Sequence, residues 1–297
     1  MTSWRTADMP DLTGKTALVT GANSGIGYHA VLGLAEHGAH VLLAARNPER
    51  GEKAVAAAKA KLPDARIELV HLDLADLGAV RETAKAVLAE HEHLDLLVNN
   101  AGEKVVPKRR TTKDGFEAQF GTNHLGHFAL TGLLLPALRE GARVVTITSG
   151  SHRFNAFDID DPQQERAYRP MRAYGRSKLA NLIFTLELDR RLAGTGIASY
   201  AAHPGFAVDP EIGLGNPVID VLAKPMVQDM AGGARPTLYA ATAPNLPGGT
   251  LVGPGNLLRS KGAPRPEKPS PKATDPRLGR RLWELSEELT DVRYLSS

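Results

Sequence analysis

Tyr174 and Lys178 stand four positions apart in the run Tyr174-Gly175-Arg176-Ser177-Lys178, inside a stretch of helical periodicity. Residues i and i+4 share one helix face, so the phenol and the ammonium are neighbours. A cation beside a phenol favours the phenolate and draws its pKa down from about 10, making it a usable general acid and base near neutral pH. Ser149 ends a β-branched run and offers a hydroxyl that could hold a carbonyl oxygen next to that phenol. A lone Tyr-x-x-x-Lys is common, and its weight here comes from what stands upstream. Thr20-Gly21-Ala22-Asn23-Ser24-Gly25-Ile26-Gly27 follows an apolar run and leads into a helical pattern. Glycines at such a junction allow a tight turn and close approach of a pyrophosphate, which the free amides of the helix start can bind. The spacing departs from G-x-G-x-x-G, and a tight turn without ligand is the plain alternative.

Three later positions fall where the same ligand would reach. Arg46, with Asn47, stands just past the second apolar run, where an acid would bind the ribose 2′-hydroxyl of NAD; an arginine suits a 2′-phosphate. Taken alone it is also an ordinary solvated loop residue. Asp73, before Leu74, could accept from an adenine amine or simply cap a helix. Asn99-Asn100-Ala101-Gly102 closes the fourth apolar run.

The elements that must hold these groups alternate. Strands are expected at 16–20, 40–45, 67–71, 94–98, 143–148 and 197–202. Helices are expected from the glycine loop to about residue 38, and at 48–61, 77–90, 114–139 and 173–192, with Pro48 near the start of the second. This rhythm specifies α/β architecture: a single doubly wound Rossmann-type domain, a parallel sheet with helices on both faces. Beyond Pro204 the pattern weakens. Residues 204–231 read as a mobile substrate lobe, 232–243 as a helix, 250–252 as a short strand, and 253–276 as an irregular surface segment rich in Pro, Gly, Lys and Arg. A last helix runs to about Leu289, with Asp275 as its N-cap. No repeat or linker splits the 297 residues.

Composition excludes several classes. There is no cysteine, so disulfides, thiolate metal sites and a cysteine nucleophile are out. Lys and Arg total 36 against 33 acids, scattered along the chain, which argues against nucleic acid. His124 and His127 have no carboxylate at metal spacing, so no metal is expected, and Phe116, Phe120 and Phe128 read as core. No run is long enough for a membrane span and no signal peptide is evident, which points to a cytoplasmic protein.

Together these motifs resemble the short-chain dehydrogenase/reductase family, and Leu43-Ala44-Ala45-Arg46-Asn47, Asn123-His124-Leu125-Gly126-His127 and Tyr174 to Asn181 resemble its retinol-dehydrogenase-like branch. The resemblance implies hydride transfer between a nicotinamide and a carbonyl/alcohol pair, with NADP as cofactor because of Arg46. It implies Tyr174 as proton donor and acceptor, Lys178 lowering its pKa and holding the nicotinamide ribose, Ser149 polarising the carbonyl, and Asn123 at a helix kink holding a relay water. Asn100, Ala101 and Gly102 would line the ribose, and Pro204-Gly205 the nicotinamide. Homo-dimers and homo-tetramers built on two long helices are common in such proteins, and nothing in the residues chooses between them.

Three positions depart from the pattern. Glu103 replaces a small apolar residue, Asp209 stands where a carboxamide-binding threonine is usual, and Arg153 follows Ser149 closely. With Phe206 they are candidate substrate residues. Two acids would favour an imine or an amine-bearing ketone; the plainer alternatives are that Asp209 starts a helix and that Glu103 faces the nearby Lys104, Lys108, Arg109 and Arg110. A non-catalytic NADP-binding scaffold is the remaining rival, and the intact Tyr174 and Lys178 argue against it.

Overall fold

The computed structural model describes residues 4–208, 226–256 and 258–295. Strands β1 (Thr16–Thr20), β2 (His40–Ala45), β3 (Ile67–His71), β4 (Leu94–Asn99), β5 (Leu138–Ile147), β6 (Ala198–Ala202), β7 (Leu251–Pro254) and β8 (Pro264–Glu267) form one sheet in the order 3-2-1-4-5-6-7-8. All pairs are parallel except β7 with β8. The helices are α1 (Gly25–Glu36), α2 (Pro48–Lys61), α3 (Leu77–Glu90), α4 (Ala118–Phe120), α5 (Gly126–Leu134), α6 (Pro170–Arg191), α7 (Met230–Thr242) and α8 (Pro276–Thr290).

The inner strands are apolar throughout because both faces are covered. Alternate residues feed opposite cores: Ala17, Val19, Val41 and Leu43 pack with α1 and α7, whereas Leu18, Leu42 and Ala44 pack with α3, α5 and the C-terminal segment. The second core holds a ring cluster of Phe128, Phe184, Trp283 and Tyr294. Helix starts follow local chemistry. Asn47 accepts from the Arg50 amide ahead of Pro48, and Asp275 caps α8 as its sequence indicates.

Three expectations need correction. The continuous helix at 114–139 is α4, a π-helical turn over Gly121–Leu125, then α5, and β5 begins already at Leu138. The π turn inserts one residue into the 3.6-residue repeat around Asn123, while the helix runs on from Ala118 to Leu134. The segment 253–276 is not wholly irregular, since it contains β8; Pro-Arg-Pro-Glu has no apolar alternation and becomes a strand only by pairing with β7. Of the substrate lobe, residues 209–225, and Asp209 with them, lie outside the described residues.

The sheet order reverses direction between β1 and β4, so a crevice opens at their carboxyl ends. Ligands of open α/β sheets bind at such a switch point.

Candidate active site

A cleft of about 740 Å³ occupies that crevice, within the range of ligand sites. It is lined by Gly21, Asn23, Ser24, Gly25, Ile26 and Gly27 of the β1–α1 turn, Arg46 and Asn47 after β2, Asp73 and Leu74 after β3, and Asn100, Ala101 and Gly102 after β4. Ser149, Tyr174, Pro204, Gly205 and Phe206 complete its far end. Six separate strand ends, with Tyr174 from α6, thus deliver the predicted residues to one place.

The glycine turn is built for close approach. Gly21 has φ +61°, and a Cβ there would lie 2.7 Å from Ala101 Cα. Ser24 is the N-cap of α1 but its side chain accepts no cap hydrogen bond, which leaves first-turn amides available to an anion. Arg46 and Arg50 flank this end. These features fit a phosphate-bearing dinucleotide. The Asp73 carboxylate accepts from the Ala75 amide at 3.0 Å and so also steadies its own turn. Asn100 Nδ2 donates to the Thr20 and Gly21 carbonyls at 2.7 and 3.2 Å, fixing the glycine turn against β4.

At the other end Ser149 and Tyr174 line the cleft together, and the Ser149 hydroxyl is close enough to the phenol to pull its pKa down. Lys178 is 4% exposed, and its Nζ lies 6.0 Å from the Tyr174 ring centroid and donates to the Ile147 carbonyl at 3.1 Å. Burial pulls the lysine down to about 8. Burial also raises the tyrosine above its ordinary value, opposed only by the nearby Ser149 hydroxyl. Burial thus sets the direction for the phenol here, and Lys178 Nζ hydrogen-bonds the Ile147 carbonyl rather than the phenol oxygen.

Asn123 sits in the π turn with no exposure. Its Oδ1 accepts from the Glu103 amide at 2.7 Å, and its Nδ2 donates to the Glu103 carbonyl and to Ser177 Oγ at 3.2 and 2.9 Å. The side chain straps the loop after β4 to α6. Its main-chain carbonyl accepts from His127 Nδ1 at 2.9 Å, and His127 Nε2 accepts from Thr20 Oγ1 at 2.8 Å. That hydroxyl also accepts the Asn100 and Ala101 amides at 2.9 Å each. Burial holds His127 neutral, down to about 4, which suits one donating and one accepting nitrogen. The sequence places His127 only as core; its role in joining the kink to the glycine turn has no local signal. His124 is core as expected, buried and bonded to Ser286.

Two substrate candidates point elsewhere. Glu103 lines the cleft, but its carboxylate lies 3.9 Å from Arg46 Nη1 and 3.3 Å from Arg110 Nη2, toward the β2 end and not beside Tyr174. Arg153 does not line the cleft; its guanidinium donates to Glu267 at 2.7 Å. With Asp209 undescribed, the cationic-substrate reading has no support in the geometry. Cleft residues the sequence reading missed include Arg50, Thr122, Ser151, Met171 and Met230. Arg50, in the first turn of the helix that follows Arg46, was the one with a readable signal. Among the described residues no group of three metal-ligating side chains occurs, and no helix is long and apolar enough to cross a membrane.

The short chain dehydrogenase family model matches residues 15–212. The chain belongs to the short-chain dehydrogenase/reductases. Within them it falls in the retinol-dehydrogenase-like branch: it is 38% identical to mouse retinol dehydrogenase 12 over 290 residues, covering 95% of this chain and 88% of that protein. It is likewise 41% identical over 297 residues to the zebrafish WW domain-containing oxidoreductase, covering 95% and 70% of the two chains. A solved structure of an uncharacterised protein from Mycobacterium paratuberculosis matches with a TM-score of 0.84 at 42% identity, covering 99% of each chain. A short chain dehydrogenase from Burkholderia cenocepacia, solved in complex with NADP, matches with a TM-score of 0.63 at 26% identity, covering 78% of this chain and 92% of that one. This dehydrogenase/reductase is an oxidoreductase acting on a small-molecule substrate.

Proposed function

We propose that the protein is an NADP(H)-dependent oxidoreductase that interconverts a carbonyl and an alcohol, with Tyr174 exchanging the proton. The observation that carries this reading is the Ser149–Tyr174 hydroxyl pair, set at the far end of a cleft whose near end is a glycine turn flanked by Arg46. Ser149 and Tyr174 together offer two hydroxyl donors to one carbonyl oxygen, which orients it and stabilises the charge that develops there. Burial keeps the phenol protonated at neutral pH, the form that donates to a carbonyl undergoing reduction. Lys178 supplies buried positive charge behind Gly102, whose Cβ position lies 3.3 Å from Nζ. A bound nicotinamide supplies or accepts the hydride. Arg46 can receive a 2′-phosphate by charge-assisted hydrogen bonds, and the NADP complex of the Burkholderia relative supports the same choice.

The test is oxidation of NADPH and NADH, followed by nicotinamide absorbance, against neutral ketones, aldehydes and cyclic imines. NADPH-linked turnover of neutral carbonyls is expected, and Tyr174→Phe should cut it by at least about 100-fold while cofactor binding persists. Equal turnover in Tyr174→Phe would remove the tyrosine from the mechanism.

A further inference from the structure

Behind the Pro204–Gly205 wall of the cleft lies a carboxylate that no cofactor or catalytic motif accounts for. Glu267 ends β8, its side chain 2% exposed. Arg153 Nη2 donates to its Oε2 at 2.7 Å, Arg259 Nη1 lies 3.3 Å from the same oxygen, and His203 Nε2 lies 3.2 Å from Oε1. The histidine's hydrogens follow from its other side. The Gly205 amide donates to His203 Nδ1 at 3.3 Å, so Nδ1 is an acceptor and Nε2 carries the hydrogen that Glu267 receives. A hydrogen-bonded chain therefore runs from the buried carboxylate through His203 into the backbone of the turn that faces the cleft.

The same carboxylate grips two more segments. Gly205 has φ +68°, and a Cβ there would strike the Ser260 carbonyl, which accepts the Phe206 amide at 2.7 Å. Ser260 adjoins Arg259, so Glu267 clasps the loop that backs the turn. On the opposite side Arg153 belongs to the short helical turn that Ser149 caps. His152, in that turn, donates from Nδ1 to the Ser149 carbonyl at 2.6 Å.

We propose that Glu267 is a positioning residue that holds the Pro204–Gly205 turn and the Ser149 turn in register, so that the nicotinamide half of the cofactor and the substrate oxygen meet. This rests on the cofactor reading above. A purely stabilising cluster would weaken every ligand alike. A positioning device acts on the nicotinamide half and spares the adenosine half.

The experiment measures binding of 2′,5′-ADP and of NADPH by calorimetry, with kcat, in the full chain and in Glu267→Gln and His203→Asn. The second variant leaves Glu267 paired with both arginines and keeps an acceptor near the Gly205 amide, but it breaks the link between them. In both variants 2′,5′-ADP should bind within about twofold of the parent while NADPH weakens roughly tenfold, the equivalent of one charge-assisted hydrogen bond. A displaced turn should lower kcat by up to about 100-fold. NADPH binding and kcat at parent levels in both variants overturn the proposal, as does equal weakening of the two ligands. A parent that binds neither ligand refutes the cofactor reading itself, and this inference with it.

Discussion

Replacing Glu103 with glutamine should tighten NADPH binding. In the structure Glu103 competes for Arg46, with Oε1 3.9 Å from Nη1. At that separation two unit charges in water attract by about 1 kcal/mol. The water limit applies because the Arg46 side chain is 63% exposed, and salt screens the pair further. The freed guanidinium can therefore gain at most about 1 kcal/mol, a factor of about five in Kd. NADH has no 2′-phosphate and should shift by less than about twofold. Arg46→Ala should weaken NADPH by about 10- to 100-fold, the loss of a hydrogen bond to a charged group. In that background Glu103→Gln should add little, since the two act on one contact. Fluorescence titration with both nucleotides, at low and high ionic strength, reads all of this. If Glu103→Gln weakens NADPH, or moves NADPH and NADH together, the competition does not exist.

Two further expectations concern charge and stability. Burial holds Lys178 down to about 8, below its unfolded value of about 10.4, so the unfolded chain binds more protons between those limits and stability from this group rises with pH across them. Lys178→Met should accordingly raise the melting temperature at pH 7 while abolishing turnover, a gain that shrinks toward pH 10; its loss does not orphan the Ile147 carbonyl, which Asn181 also bonds at 3.0 Å. An unchanged or lower melting temperature would refute the assigned cost. Asp95 is pushed up by burial, but the Thr16 amide, Arg139 and Lys15 outweigh that and leave it below its ordinary value. Its stabilisation is present above pH 4 and lost as pH falls through the folded value. Asp95→Asn should thus cost about 1–2 kcal/mol at pH 7 in urea denaturation, since the Lys15 and Arg139 side chains it leaves are 46% and 40% exposed, and parent and variant should converge in acid.

Most of the frame was legible because doubly covered strands announce themselves as apolar runs and because the cofactor residues follow strand ends in chain order. Val19, Ala44 and Val98 read correctly for that reason. What escaped depends on partners distant in sequence. Arg153 looked like a substrate residue beside Ser149, yet its destination is Glu267, 114 positions on. Glu103 stood correctly among local cations, but its contact with Arg46 across the cleft needed the sheet. The helix around Asn123 keeps its apolar repeat on both sides of the π turn, so periodicity alone does not show the extra residue. That Ser149 and Tyr174 share the cleft was readable; the raised pKa of the phenol was not, because it follows from burial.

The composition of β8 bears on how this sheet can grow. Two of its four residues are prolines, and it forms the outer border beyond β7. A border strand without a full row of amide donors is a poor template for another chain. The sheet therefore carries its own terminator against strand-by-strand extension on that side.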